Sequence, residues 1–155
     1  SRRGAVVGKT TRYRFLLDER MRWYPDGKKK VPRDVRLTPL SLAVWYMGDG
    51  SLRWRGLKSY RFYEIHFATH GFGYDDCLLL ANKLSSVYDF DARVYREKYG
   101  YTVRIVRKYS VLKFCDIVRD YVCSVRCFWY KICPPYQAEC YRLYGSKLEE
   151  EMKSI

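Results

Sequence analysis

One carboxylate in this chain stands where a carboxylate is unexpected. Asp49 lies between Gly48 and Gly50, at the end of the apolar run Leu42-Ala43-Val44-Trp45-Tyr46-Met47. The run reads as a helix, and a helix C-terminus already carries partial negative charge. A carboxylate there is stable when a cation offsets it, and a metal ion would do so. The second chemically suggestive pattern is alternation of cationic with apolar residues. Arg53 and Arg55 alternate with Leu52 and Trp54, and Arg93, Arg96, Lys98, Arg104 and Lys108 recur later in the same fashion. Guanidinium groups on one face of a strand can contact guanine edges bidentately in a major groove. Cysteines and histidines supply less. The six cysteines show no C-x-x-C spacing and there are two histidines, which argues against a zinc site. Cys77 and Cys115 fall on expected helix faces and read as core. Cys133 and Cys140 flank Pro134-Pro135 and are expected to pair if the host is a hyperthermophile, where intracellular disulfides occur.

The totals bound the partners. The chain has 155 residues, enough for one domain, and 48% of them are apolar, enough for a core. Lys and Arg outnumber Asp and Glu by 30 to 17, a net charge of +13. Such an excess draws a protein to polyanions. Nucleic acid is the expected partner; no long amphipathic basic helix supports an anionic membrane, and no apolar run is long enough to span one. Asn82 and Gln137 are the only side-chain amides. Depletion of amides beside abundant charge is a thermophile signature. The expected location is the cytoplasm of a thermophilic prokaryote, with an organelle as the alternative.

The elements that must position these residues can be read in order. Residues 1–36 form a basic N-terminal extension in which Phe15, Leu16, Met21, Trp23 and Tyr24 pack as a short helix or hook; Pro25-Asp26-Gly27 is a turn signal. Thr38 is a good N-cap and Pro39 suits the first helical position, so the central helix starts there, with Leu40, Ala43, Val44 and Met47 as its apolar face. A hairpin follows. Its second strand puts Arg61, Tyr63, Ile65 and Phe67 on one face and Phe62, Glu64 and His66 on the other, and residues 56–59 are its turn. A helix from Tyr74 carries Asp75 and Asp76 in its first turn as dipole-stabilising acids. A second hairpin flanks Gly100. Ser110 can cap a further helix with Val111, Phe114, Cys115, Val118 and Val122 on one stripe. The order predicts an α+β fold with a mostly antiparallel sheet, in a core over residues 37–145 and a C-terminal tail over 146–155.

The string Leu37-Thr38-Pro39-Leu40-Ser41-Leu42-Ala43-Val44-Trp45-Tyr46-Met47-Gly48-Asp49-Gly50 resembles the motif L-T-P-x-S/A-L-A-x-W-x-M-x-D-G of a subfamily of LAGLIDADG homing endonucleases. The resemblance covers roughly residues 24 to 135. It implies an αββαββα core whose antiparallel sheet forms a saddle over DNA. It also implies that motif helices of two halves pack together through small residues, here Ala43 and Gly48, with Val44 and Met47 beside them. One motif per chain implies a C2 homodimer on a near-palindromic site.

The resemblance also implies site roles. Asp49 and the Gly48 carbonyl would hold Mg2+, or Mn2+, with Ca2+ as a non-cleaving substitute; hard divalent cations prefer oxygen ligands. Phe128-Trp129-Tyr130-Lys131-Ile132 resembles the family's terminal Y-K-L, which makes Lys131 a catalytic candidate. The run from Tyr24 to Pro32 resembles the linker ahead of the second motif in two-repeat members, which gives Lys29 the position of a catalytic lysine, beside Lys28. His70 stands where the family's strand-to-helix junction carries glutamine. DNA contacts are expected from Lys28, Lys29, Arg53, Arg55, Arg61, Tyr63, His70, Arg93, Arg96, Lys98, Arg104 and Lys108. A maturase that binds intron RNA without cutting DNA is the alternative on the same fold.

Overall fold

The central helix begins as its sequence dictates. Thr38 accepts a hydrogen bond from the Ser41 amide at 3.2 Å, and the Ser41 hydroxyl returns one from the Thr38 amide at 2.8 Å. This reciprocal cap and Pro39 at the first position start a helix over Pro39–Asp49. The computed structural model describes residues 13–55 and 62–153. We label its elements α1 (Arg14–Trp23), α2 (Pro39–Asp49), β1 (Gly50–Arg55), β2 (Phe62–Phe67), α3 (Tyr74–Tyr88), β3 (Ala92–Glu97), β4 (Gly100–Ile105), α4 (Lys108–Cys123) and α5 (Pro134–Lys153). A short 3-10 helix, Arg126–Lys131, joins α4 to α5. The expected hairpin turn, residues 56–59, and Arg61 lie outside the described residues.

The strands form one antiparallel sheet in the order β1-β2-β4-β3. Register assigns its two faces. Leu52, Ile65, Phe67, Val103, Ile105 and Val94 share one face and pack under α3 and α4. Phe114 of α4 joins them, as do Val111, Cys115, Val118 and Val122, the stripe expected from helical spacing. Tyr46 reaches this core from α2, its ring 4.8 Å edge-on from Phe114. The α+β class and the antiparallel sheet are as the sequence implies.

Four local expectations change. The inward face of α2 is Leu42, Ala43 and Tyr46, while Leu40 and Val44 stay outside at 54% and 56% exposure. Of the apolar face expected from helical spacing, Leu40, Ala43, Val44 and Met47, Ala43 alone is fully buried. Ser110 lies inside α4 rather than capping it, because its hydroxyl accepts from the Asp91 amide at 2.9 Å. Pro134-Pro135 opens a 20-residue helix, and α5 continues past residue 145 into the expected C-terminal tail. Cys140 is bonded to Cys123, not to Cys133. The α4–α5 packing puts those two sulfurs together, and Cys133, one residue before α5, sits beside Cys115. Among the described residues no helix is long and apolar enough to cross a membrane.

Candidate functional site

The strand β1 starts on the residue after α2 ends, so Asp49 sits at a junction with no connecting loop. Gly50 makes the junction possible. A Cβ there would lie 2.0 Å from the Tyr46 ring, closer than any side chain can come. Asp49 itself is exposed, and its carbonyl accepts from the Ala68 amide of the chain leaving β2. Its neighbour Gly48 is exposed too, and a Cβ there would meet nothing within 4 Å. The chain's own packing therefore does not require a glycine at that position.

Lys131 lies beneath this helix end, only 7% exposed. Its ammonium donates to the carbonyls of Met47 at 2.7 Å and Gly50 at 2.8 Å, with Tyr46 at 3.4 Å. In return, the Tyr46 hydroxyl donates to the Lys131 carbonyl. Carbonyls at a helix C-terminus lack intrahelical donors, and a cation satisfies both their hydrogen-bonding and their charge. Burial lowers the Lys131 pKa from its ordinary value, while the nearby Asp49 carboxylate works in the opposite direction. The structure thus brings Lys131 to the motif acid, but through the backbone on either side of it.

Lys29 arrives from the other side. Its loop is tied down by the Val31 amide donating to Asp76 at 3.3 Å and by the Lys30 amide donating to the Trp23 carbonyl at 2.8 Å. Asp76 thereby does more than offset the dipole of α3. The Lys29 ammonium rests 4.4 Å from the centre of the Phe72 ring. A groove of about 570 Å³ runs between this loop and α2, lined by Trp23, Lys29, Leu40, Val44, Asp49 and Phe72 among others. Lys28 is exposed on the same loop. Asp49 is therefore the acid of one apolar groove whose cations are Lys29 and Arg36. Ala43 is fully buried in its own core and Met47 is half-buried, so the surface α2 offers outward is Leu40, Val44 and Gly48.

The sheet face turned away from α3 and α4 carries Ser51 and Arg53 on β1, Phe62, Glu64 and His66 on β2, Thr102 and Arg104 on β4, and Arg93, Tyr95 and Glu97 on β3. The parity expected for Arg53 and Arg93 is present. Tyr63 and Arg96 have the opposite parity. Tyr63 packs edge-on against Trp54 at 4.8 Å on the helix side. Arg104 has the right parity but is only 8% exposed. Its guanidinium donates to Glu97 at 2.7 Å, lies 4.0 Å from Glu64 and sits 4.2 Å from the Tyr95 ring. Bound in this way, it holds the floor of the face together instead of projecting from it.

Glu97 is the hub of that floor. It also accepts from Thr102 at 3.1 Å and pairs with His70 at 2.9 Å. The His70 contact, followed by Arg104, lowers the Glu97 pKa to about 2. Glu64 pairs in turn with the buried His66 ring at 2.9 Å, and burial lowers the His66 pKa. The His66 Nδ1 is buried without a hydrogen-bond partner. Sequence parity had placed Glu64 and His66 on this face, but only the register shows them knitted to Arg104. At the rim, Asp91 binds Arg93 through two hydrogen bonds of 2.7 and 2.9 Å and Arg107 at 2.7 Å. Lys108, the first residue of α4, borders a groove of about 610 Å³ with Phe62, Arg93 and Tyr95. Lys98 lies in the β3–β4 turn, its ammonium 5.0 Å from the Tyr99 ring.

Among the described residues no cluster of three or more His, Cys, Asp or Glu forms a metal site. Asp49 offers one hard oxygen donor at an exposed helix end. That suits a divalent cation only as part of a set completed from outside the chain.

The family model of the LAGLIDADG DNA endonuclease family matches residues 2–114. An uncharacterised protein of Methanocaldococcus jannaschii is 37% identical over 113 residues, which are 73% of this chain and 43% of that protein. The cytochrome b mRNA maturase bI2 of Debaryomyces hansenii is 33% identical over 76 residues, 48% of this chain and 26% of that one. Among solved structures, the homing endonuclease I-WcaI bound to its DNA recognition sequence has the same fold, with a TM-score of 0.59 at 24% identity, covering 68% of this chain and 46% of that chain. The chain thus spans less than half the length of these proteins. With the family match running through the capped helix, the acid at its tip and both hairpins, the chain belongs to the LAGLIDADG DNA endonuclease family.

Proposed function

We propose that this chain is one half of a site-specific, metal-dependent DNA endonuclease that cuts both strands of a near-palindromic site. The observation that carries this reading is Asp49, exposed at the tip of a helix whose outward stripe, Leu40, Val44 and Gly48, is uncovered. A second motif helix laid along that stripe would bring two Asp49 carboxylates together at a two-fold axis. Gly48, which nothing among the described residues crowds, would let the two helix backbones approach closely. The second half is a second copy of the chain. Residues 37–145 would form the core of the enzyme, with the basic N-terminal segment lying along the backbone of the duplex and contributing Lys29 to the site.

The residues divide the work. The paired Asp49 carboxylates with the Gly48 carbonyls would hold Mg2+ or Mn2+. A hard divalent cation there supplies charge neutralisation at the scissile phosphate. Lys29, which lines the same groove as Asp49, presents a cation to the phosphate or to the attacking water. Lys131 is a positioning residue that fixes the backbone on both sides of Asp49. Arg53, Arg55 and Arg93 contact the duplex from the sheet, and Lys28, Lys98 and Lys108 contact phosphates from its margins. The reading places the protein in the cytoplasm of a thermophilic prokaryote.

The test is digestion of a randomised duplex library with and without Mg2+, followed by sequencing of the ends. Metal-dependent double-strand cuts at a near-palindrome are expected, and Asp49→Asn should keep DNA retention while lowering cutting at least 100-fold. The likeness to a cytochrome b mRNA maturase favours a second reading, binding of folded intron RNA. Retention of structured RNA with no cutting of any duplex, Asp49 being intact, would replace the first reading with the second.

A further inference from the structure

Behind the Lys131 strut lie two thiols for which hydrolysis has no use. Cys115 on α4 and Cys133, one residue before α5, bring their sulfurs to 3.4 Å. Both are buried. Further along the same two segments, Cys123 of α4 is already bonded to Cys140 of α5. The two segments are thus joined once by a covalent bond and touch again through a pair of thiols. We propose that Cys115 and Cys133 are a redox modification site that closes to a second disulfide on exposure to a small-molecule disulfide.

The geometry suits the exchange. The sulfurs need to close by about 1.4 Å to reach bonding distance. Cys133, 2% exposed, borders a crevice of about 170 Å³ lined also by Tyr63, Lys108, Val111, Leu112 and Pro135, the side from which an oxidant would approach. Cys115 does not line that crevice. The Cys115 thiol donates to the Cys133 sulfur, which lowers the Cys133 pKa, while the same hydrogen bond and burial raise that of Cys115. Cys133 is therefore the thiol that meets the oxidant, and a thiolate is the attacking species.

The step balances as thiol–disulfide exchange. The Cys133 thiolate attacks one sulfur of RSSR, the S–S bond breaks, and RS⁻ leaves and takes up a proton. Cys115 gives up its proton, attacks the Cys133 sulfur of the mixed disulfide and expels a second RS⁻, which is protonated in turn. Two protein thiols and RSSR become one protein disulfide and two RSH. The protein loses two electrons and RSSR gains them. The new bridge closes a loop that contains the whole 3-10 helix and Lys131. Oxidation would therefore fix the strut that supports the tip of α2.

The experiment uses the full chain carrying Cys127→Ser, which removes the exposed thiol. The protein is incubated with 2-hydroxyethyl disulfide, remaining thiols are blocked with N-ethylmaleimide in denaturant, and peptides are mapped by mass spectrometry. The expected result is a Cys115–Cys133 peptide beside Cys123–Cys140, with only Cys77 labelled. The melting temperature should rise by about 5–10 °C on oxidation, and Cys115→Ala in the same background should show no rise and hold a mixed disulfide at Cys133. Cys115 and Cys133 both labelled after prolonged oxidation, or Cys133 recovered linked to Cys140, overturns the proposal. If Cys115→Ala fails to fold, the peptide map of the Cys127→Ser protein decides alone.

Discussion

Lys131 holds the tip of α2 from within the fold. The family pattern marks it, and the structure brings it to Asp49. It arrives buried, with its hydrogen bonds directed at backbone carbonyls. Lys131→Met should cost roughly 2–3 kcal/mol in denaturant titrations, because charge-assisted bonds to buried carbonyls are lost together. A lysine that acted only on substrate would instead lower cutting and leave stability unchanged. Glu97 permits a sharper prediction because its sign is fixed. Its folded pKa of about 2 lies below its ordinary 4.5. Its contribution to stability is therefore present in full above about pH 4.5 and is lost as pH falls towards 2. Urea midpoints followed down through this window should drop, and Glu97→Gln should flatten that drop. Neither Glu97 nor its partner Arg104 was legible as part of a buried network. Alternation gives the face a side chain points to, but not whether an opposite charge waits on the neighbouring strand.

At the scale of elements, the start of α2 was legible to the residue because Thr38 and Pro39 act through local backbone chemistry. The inner stripe of α4 and the parity of β1 and β2 were legible for the same reason: periods of 3.6 and 2 are local. The outward face of α2 was not. Leu40 and Val44 are as apolar as Leu42 and Ala43, and helical spacing cannot separate a face that meets its own core from one left for a partner. The start of α5 was missed because proline is compatible with both the end of one element and the first turn of the next. The exposed stripe of α2 yields a clean test. Gly48→Ala should fold and gain up to about 1 kcal/mol of helix stability. Gly48→Leu should also fold, since none of the described residues lies where its side chain begins. Light scattering at matched concentrations should then show wild type as a dimer and Gly48→Leu as a monomer. A Gly48→Leu dimer would refute pairing through this stripe.

For the molecule as a whole, the class was legible because seven core elements alternate plainly between helical and strand patterns. The cysteine pairing was not, because it depends on how α4 meets α5, two elements whose relative placement no local pattern encodes. Nor could any pattern show that α2 passes directly into β1, Asp49 being the last residue of one and Gly50 the first of the other. That junction acts as a ruler. The proposed pairing axis runs along α2 and the arginines proposed to read bases sit on β1, so the reading leaves no slack between the place where halves meet and the place where bases are touched. Tyr46 against Gly50 stiffens the joint further, since even a methyl group does not fit between them. Half-site spacing is then dictated by protein geometry and cannot be re-learned by a flexible linker. A target with one base pair inserted at its centre keeps every contacted base yet turns one half-site by about 34° and moves it by about 3.4 Å relative to the other. We expect such a target to be bound by one half at a time and cut at least 100-fold more slowly than the original, as competition digests of the two duplexes would show.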